Sequence, residues 1–221
     1  MFIGLPPAWS LARPKRAWQA ALDFVCAPLR MAALPDHVNE RMHVTSLRAE
    51  RLAVALAEVS GRCLDIGAGD NTLVRLHCTM NGMTDPAVQS SVGVDVFDWG
   101  TDCVIVENCQ ILPFDNASFD TVTFIGCLNH IPERDAALRE ARRVLRPGGK
   151  LVVTMIGRLI GVVGHAIWWY SEDKHRDHQD GEVMGMDPGE VIRLVSDAGF
   201  VGLKRRTFLY GLNSVFIAYR P

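Results

Sequence analysis

Short apolar runs alternate with helix-period stretches through most of the chain. Cys63-Leu-Asp-Ile66 predicts a buried strand, Val92–Val96 a second, Cys103–Val106 a third and Phe119–Ile125 a fourth. A short helix is expected from about Thr72, and a stronger one from Pro132 to Leu145. Pro132 suits the first turn of that helix, and Ala137, Leu138, Ala141, Val144 and Leu145 form its apolar stripe. Arg146-Pro-Gly-Gly149 is expected to stop it, with a fifth strand at Leu151–Met155.

Upstream, Ser46 is placed to cap a helix running to Val59, with Leu52, Leu56 and Val59 on one face and Gly61 just beyond its end. Downstream, Asp187-Pro-Gly-Glu190 has the pattern of a capping box ahead of Val191, Ile192, Val195 and Ala198, and Gly199 ends that helix. Two late strands are expected near Val201–Phe208 and Ser214–Tyr219. Such alternation builds an α/β, doubly wound, mostly parallel sheet with helices on both faces. Ligands then bind at the carboxyl ends of the strands, near the switch in strand order. Residues 1–45 lack a clean period and are assigned to an N-terminal cap, leaving 46–221 as the main domain.

The 221 residues suit one domain with a full core. A formal net charge of −2 gives no global reason to expect a nucleic-acid partner. None of the six cysteines forms a CxxC pair, which argues against a zinc ribbon and suits a reducing cytoplasm; no metal site is expected. The opening Met-Phe-Ile-Gly-Leu-Pro-Pro lacks the basic start and apolar stretch of a signal peptide. Leu151–Tyr170 is long and apolar, but Arg158 and His165 interrupt it, so a transmembrane helix is the weaker reading.

The sharpest chemical signal is Leu64-Asp-Ile-Gly-Ala-Gly-Asp70, where a strand ends, two glycines allow a tight turn, and a helix begins. Asp65 precedes the glycines, and Asp95 closes the next strand, where dinucleotide enzymes also carry an acidic residue for ribose hydroxyls. A dinucleotide fingerprint, however, needs a third glycine where Thr72 stands.

Five segments in order resemble class I S-adenosylmethionine-dependent methyltransferases of the small-molecule, type 11-like branch. They are Leu64–Gly69, Gly93–Asp95, Asn108-Cys-Gln-Ile-Leu-Pro-Phe-Asp-Asn-Ala-Ser-Phe-Asp120, Arg142–Gly149 and Asp187–Phe200. The resemblance covers roughly residues 46–221. It implies a Rossmann-like, seven-stranded sheet with the last strand antiparallel and a helical N-terminal cap. It also implies S-adenosylmethionine as cofactor. Asp65, Gly67 and Gly69 would cradle the methionine half, and Asp95 would bind the ribose. Asn108 and the Cys109 backbone would border the adenine, and Gly126 and Asn129 would flank the sulfonium.

Two residues depart from the pattern. Asn71 stands where a third glycine often follows, and Asn tolerates a left-handed backbone better than most residues. Asn108 replaces an Asp, keeping an acceptor and gaining a donor. The resemblance implies methyl transfer, by in-line displacement and to oxygen or nitrogen, on a small-molecule or lipid- or glycan-linked acceptor. A non-catalytic partner or regulatory subunit is the alternative. His130, just after the fourth strand, is the candidate base.

Residues 157–186 form an insert expected to shape the acceptor pocket, with His165, Trp168, Trp169, Tyr170, His175 and His178. Its charged stretch Ser171–Asp180 reads as a solvated loop closing over the acceptor rather than a metal site. Trp9, Arg13, Lys15, Arg16 and Trp18 suit either a cap over the site or peripheral contact with a membrane from the cytoplasmic side.

Overall fold

Successive strand residues point to opposite sheet faces, and this chain uses the two faces differently. Leu64, Ile66, Val122, Phe124, Leu151, Val153 and Met155 share the larger apolar core. On the other face, Asp65, Thr121, Thr123 and Thr154 are buried polar groups, and Val152 joins a smaller apolar cluster with Val215 and Ile217. In a computed structural model that describes residues 17–41, 44, 46–82, 85–166 and 180–221, these strands form one seven-stranded sheet.

The strands are β1 (Cys63–Ile66), β2 (Val92–Asp95), β3 (Val104–Ile105), β4 (Phe119–Ile125), β5 (Leu145–Ile156), β6 (Val201–Phe208) and β7 (Asn213–Tyr219). Their order is β3-β2-β1-β4-β5-β7-β6. All pairings from β3 to β5 are parallel, and β7 runs antiparallel to both β5 and β6. The Rossmann-like sheet expected from the sequence is therefore present, with its antiparallel last strand. The chain leaves β1 for β2 on one side and later returns to β4 on the other. That reversal puts the switch point above β1 and β4.

Helices cover both faces. The helices are α1 (Ala17–Ala33), α2 (Asp36–Arg41), α3 (Leu47–Leu56), α4 (Thr72–Asn81), α5 (Arg134–Val144), α6 (Arg158–Ala166) and α7 (Pro188–Asp197). Ala137, Leu138, Ala141 and Val144 of α5 and Val191 and Val195 of α7 fill the larger core. Leu52 and Ala55 of α3 pack with Leu73 and Leu76 of α4 on the other face.

Several boundaries differ from the sequence expectation. The helix at α3 ends at Leu56 rather than Val59, and β3 is shorter than Cys103–Val106. α5 starts at Arg134, because Ile131 is extended and Glu133 is non-helical, so Pro132 lies outside it. Arg146-Pro-Gly-Gly149 is not a free turn. It is an irregularity inside β5, where Gly148 N donates to Arg220 O (2.8 Å) and Arg220 N to Gly149 O (2.9 Å). The capping box at α7 is also not formed. Asp187 is the N-cap but its side chain makes no capping bond, and Glu190 instead faces Arg158 (3.3 Å).

The cap at α3 is formed as expected. Ser46 Oγ accepts from Ala49 N (3.0 Å) and donates to Glu40 Oε1 (3.0 Å). Asp36 accepts from Leu47 N (3.0 Å) and Arg48 N (3.2 Å), and Arg48 pairs with Glu40 (2.6 Å). The boundary expected between residues 45 and 46 thus lies across a polar network tying α2 to α3. Ser46→Ala should lower unfolding free energy by about 1 kcal/mol, read as a drop in the urea midpoint at unchanged slope. An unchanged midpoint would show that Asp36 alone caps the helix.

Candidate cofactor site

The turn after β1 is set by backbone hydrogen bonds. Gly67 N and Ala68 N both donate to Val94 O, at 2.9 and 3.0 Å, which ties the end of β1 to the end of β2. Gly67 has φ +71°, and a Cβ there would come within 2.6 Å of Cys127 Cβ, so a side chain has neither the angle nor the room. Asn71 starts α4 in the left-handed conformation (φ 57°, ψ 22°), as its residue type allows. Asn71 Nδ2 donates to Asp102 Oδ1 (3.0 Å), and Thr101 Oγ1 donates to Gly69 O (3.2 Å). The loop after β2 is thereby latched to the glycine turn.

Asp95, at the end of β2, is 8 % exposed. Its Oδ2 accepts from Gly69 N (2.8 Å) and its Oδ1 from Phe97 N (3.0 Å). These bonds fix the carboxylate at the mouth of the turn and leave lone pairs on both oxygens for a ligand. Asn108 Oδ1 accepts from Gln110 N (2.9 Å) and Ile111 N (3.3 Å), so its acceptor holds a local turn while its amide remains a donor. Burial, with Asp95 adding to it, pushes the Cys109 thiol up to about 11, which keeps it neutral and a poor nucleophile.

A cleft of about 150 Å³ lies along this edge of the sheet. Of the residues expected at the site, Gly67, Gly69, Asp95, Asn108, Cys109, Gly126 and His130 line it. Asp65 and Asn129 do not. Asp65 is on the polar face of β1, beside Thr123 in the β1–β4 ladder, and Thr123 Oγ1 donates to its Oδ1 (2.5 Å). Asn129 is buried beside the cleft, where its Nδ2 donates to Val183 O (2.9 Å) and lies 3.0 Å from His130 Nε2.

Asn129's orientation also fixes the histidine. With one Nδ2 hydrogen on Val183 O, the other points at Nε2 and makes it the acceptor. Nδ1 then carries the proton and donates to Glu182 Oε2 (3.1 Å), whose side chain is fully buried. Glu182 belongs to the insert at 157–186, and Val183 N→Asn129 O (2.9 Å) and Arg134 Nη2→Gly181 O (2.7 Å) stitch that stretch to the turn after β4. Trp168, Trp169, Tyr170, His175, His178 and the loop at Ser171–Gln179 lie outside the described residues, as does the His165 side chain.

Sequence reasoning missed five contributors. Trp99, Glu107 and Glu133 line the cleft. Trp99 and Glu107 are close in sequence to Asp95 and Asn108, but nothing in their spacing marks them. Glu182 sits in an irregular segment. Arg51, on α3, brings its guanidinium to 2.7 Å from where a Gly126 Cβ would stand, a proximity that only the tertiary fold creates.

The charge of the cleft discriminates between ligands. Asp95, Glu107 and Glu133 line it, with no Lys or Arg among the described lining residues. A sulfonium with an adjacent ammonium suits such a wall, whereas the pyrophosphate of a dinucleotide would face like charge. Gly67, closed to any side chain, leaves bare backbone at the turn, and the Asp95 carboxylate keeps lone pairs for a ligand in the cleft.

Residues 64–153 match the model of a family described as a methyltransferase domain, Methyltransf_11. The chain is 30 % identical over 153 residues to the ubiquinone/menaquinone biosynthesis C-methyltransferase UbiE of Burkholderia vietnamiensis, covering 65 % of this chain and 63 % of that protein. It is 27 % identical over 159 residues to the ubiquinone biosynthesis O-methyltransferase of Idiomarina loihiensis, covering 69 % and 56 %. The matched stretch spans under two thirds of either relative's length. A methyltransferase from Thermotoga maritima, described as a possible histamine N-methyltransferase, shares the fold with a TM-score of 0.58 at 17 % identity, over 78 % of this chain and 88 % of that one.

Burial pushes the Asp65 carboxyl up to about 7, against the Thr123 hydrogen bond that lowers it, with Asp95 and Asp70 adding to the rise. Between 3.8 and about 7 the native state therefore holds a proton that the unfolded chain has released. The stabilisation is complete below the lower value and is lost as pH rises through the upper one. Asp65→Asn should remove this dependence, so thermal melts of variant and wild type should diverge in the variant's favour as pH rises across that window. Parallel curves would contradict it.

Proposed function

We propose that this chain, whose residues 64–153 match a methyltransferase-domain model, is a class I methyltransferase of the type 11 branch and transfers the methyl group of S-adenosylmethionine to a hydroxyl oxygen. The acceptor is a small molecule, free or linked to a lipid or glycan. The observation that carries the reading is the cleft itself: a side-chain-free turn, an anchored Asp95, and an acidic wall that includes His130, whose Nδ1 lies 3.1 Å from the buried Glu182 carboxylate.

When bound, the cofactor supplies an electrophilic methyl group on a positively charged sulfur, and the protein supplies binding and alignment. Gly67 and Gly69 let the methionine half lie on backbone, with Arg51 beside Gly126 as a positive charge for its carboxylate. Asp65 sits behind the turn and, once ionised, places a negative charge beneath the ammonium. Asp95 accepts from the ribose hydroxyls. Asn108 offers its amide at the adenine edge, near Cys109, and Trp99 offers a ring face. Gly126 and the buried Asn129 frame the position of the sulfur. Alignment for in-line attack can contribute several kcal/mol, roughly 7–11 in favourable intramolecular systems.

An oxygen nucleophile must lose a proton as the new bond forms. His130 Nε2 takes that proton, exchanging its contact with Asn129 for one with the acceptor, and Glu182 stabilises the imidazolium that results. A neutral amine attacks without such help, so the dyad favours oxygen over nitrogen.

Both relatives are named for ubiquinone biosynthesis, one methylating carbon and one oxygen, which makes phenols and quinols the first acceptor probes. With methyl-labelled S-adenosylmethionine, wild-type protein should label the hydroxyl oxygen of an accepted probe. His130→Ala should lower kcat about 100-fold or more, and Glu182→Gln should lower kcat with KM nearly unchanged. Label on ring carbon, or full activity in His130→Ala, would contradict the proposed chemistry.

A further inference from the structure

Among the described side chains of α1, the polarity is the reverse of an ordinary surface helix. Its ionic groups face the protein: the Asp23 and Arg30 side chains are 4 % and 13 % exposed and pair with each other. Arg30 Nη1 donates to Asn39 Oδ1 (2.6 Å), and Asn39, itself buried, donates from Nδ2 to Leu34 O (3.0 Å). Among its described side chains, the large apolar groups face water: Trp18, Val25 and Leu29 are 61, 74 and 78 % exposed.

The exposed groups form a stripe. At 3.6 residues per turn, positions 18, 25 and 29 fall within roughly 40° of one another over about 16 Å of helix. A soluble helix normally does the reverse, and a line of exposed Trp, Val and Leu marks a surface meant for an apolar neighbour. No helix among the described residues is long and apolar enough to cross a membrane. A stripe on a helix of this length, with paired charges beneath it, fits a surface that the helix lies on.

The adjoining sequence indicates which surface. Residues 1–22 contain Arg13, Lys15 and Arg16 and no Asp or Glu. The first acid in the chain, Asp23, is neutralised by Arg30. Cationic residues beside an apolar stripe complement a bilayer that presents anionic headgroups over an acyl layer, and a tryptophan is well suited to the boundary between them.

We infer that α1 lies in the plane of an anionic membrane surface, with Trp18, Val25 and Leu29 in the headgroup–acyl boundary, and that the charge of the preceding Arg13, Lys15 and Arg16 supplies the preference for anionic lipid. This stands apart from the methyl-transfer reading, because the contact involves none of the residues lining the cleft. It would bring a lipid-borne acceptor to the protein, but it does not require one.

Flotation of the full chain with large unilamellar vesicles, without cofactor, tests it. Vesicles one-third phosphatidylglycerol in phosphatidylcholine should bind the protein on the order of 100-fold better than phosphatidylcholine alone, since each basic residue near the surface contributes roughly fivefold. High salt should erase that preference. A Val25→Asp/Leu29→Asp variant should lose binding at least 10-fold, the penalty expected for withdrawing two apolar anchors, while keeping the wild-type circular dichroism spectrum and thermal midpoint. Replacing Arg13, Lys15 and Arg16 by Gln should abolish the anionic preference. Equal binding by the Val25/Leu29 variant, or no binding to either vesicle, would overturn the inference. So would a dimer in light scattering that the same variant dissolves, which would assign the stripe to a second copy of the chain. Cofactor binding, measured separately, is unaffected by any of these outcomes.

Discussion

The carbonyl oxygen of Val94 receives two backbone hydrogen bonds, from Gly67 and Ala68, and the geometry of the site follows from that doubly used acceptor. It pins the end of β1 against the end of β2 and forces the chain to turn where a side chain cannot fit. The turn aims Gly69 N at Asp95, so the carboxylate is oriented before any ligand arrives. Preorganisation of this kind reduces what binding must otherwise spend on ordering the site. Asn71 completes the turn without a third glycine, and its bond to Asp102 extends the same rigidity to the loop carrying Trp99.

Much of this could be read in the sequence, because it depends on local rules. Glycines at a strand end, an acid closing the next strand, and alternating apolar residues in β1 and β4 each state their conformation within a few residues. Ser46 shows the same legibility, capping α3 as its position implies. The misreadings arose where tertiary partners override local preference. Arg146-Pro-Gly-Gly149 looks like a terminator, yet Arg220 draws it into the sheet. Glu190 looks like half a capping box, yet Arg158 attracts it.

The site divides in the same way. Residues on the glycine turn and at strand ends were legible, whereas Glu182 and Arg51 meet the cleft residues His130 and Gly126 through contacts between distant segments. Asp65 shows a subtler limit. Its place in the motif was readable, but pleat parity puts it on the polar face beside Thr123, behind the turn rather than on the wall. From there it acts through its charge, and burial makes that charge sensitive to pH near neutrality.

The central claim is that this edge of the sheet is built for a sulfonium cofactor and not for a dinucleotide. Calorimetric titration of the wild-type protein with S-adenosylmethionine, beside an Asp95→Ala variant and a nicotinamide dinucleotide control, addresses it most directly. The account predicts micromolar binding of S-adenosylmethionine, lost in the variant, and none of the dinucleotide. Dinucleotide binding, or no S-adenosylmethionine binding by a folded wild-type protein, would contradict it and return the chain to the reading of a non-catalytic partner or a different enzyme.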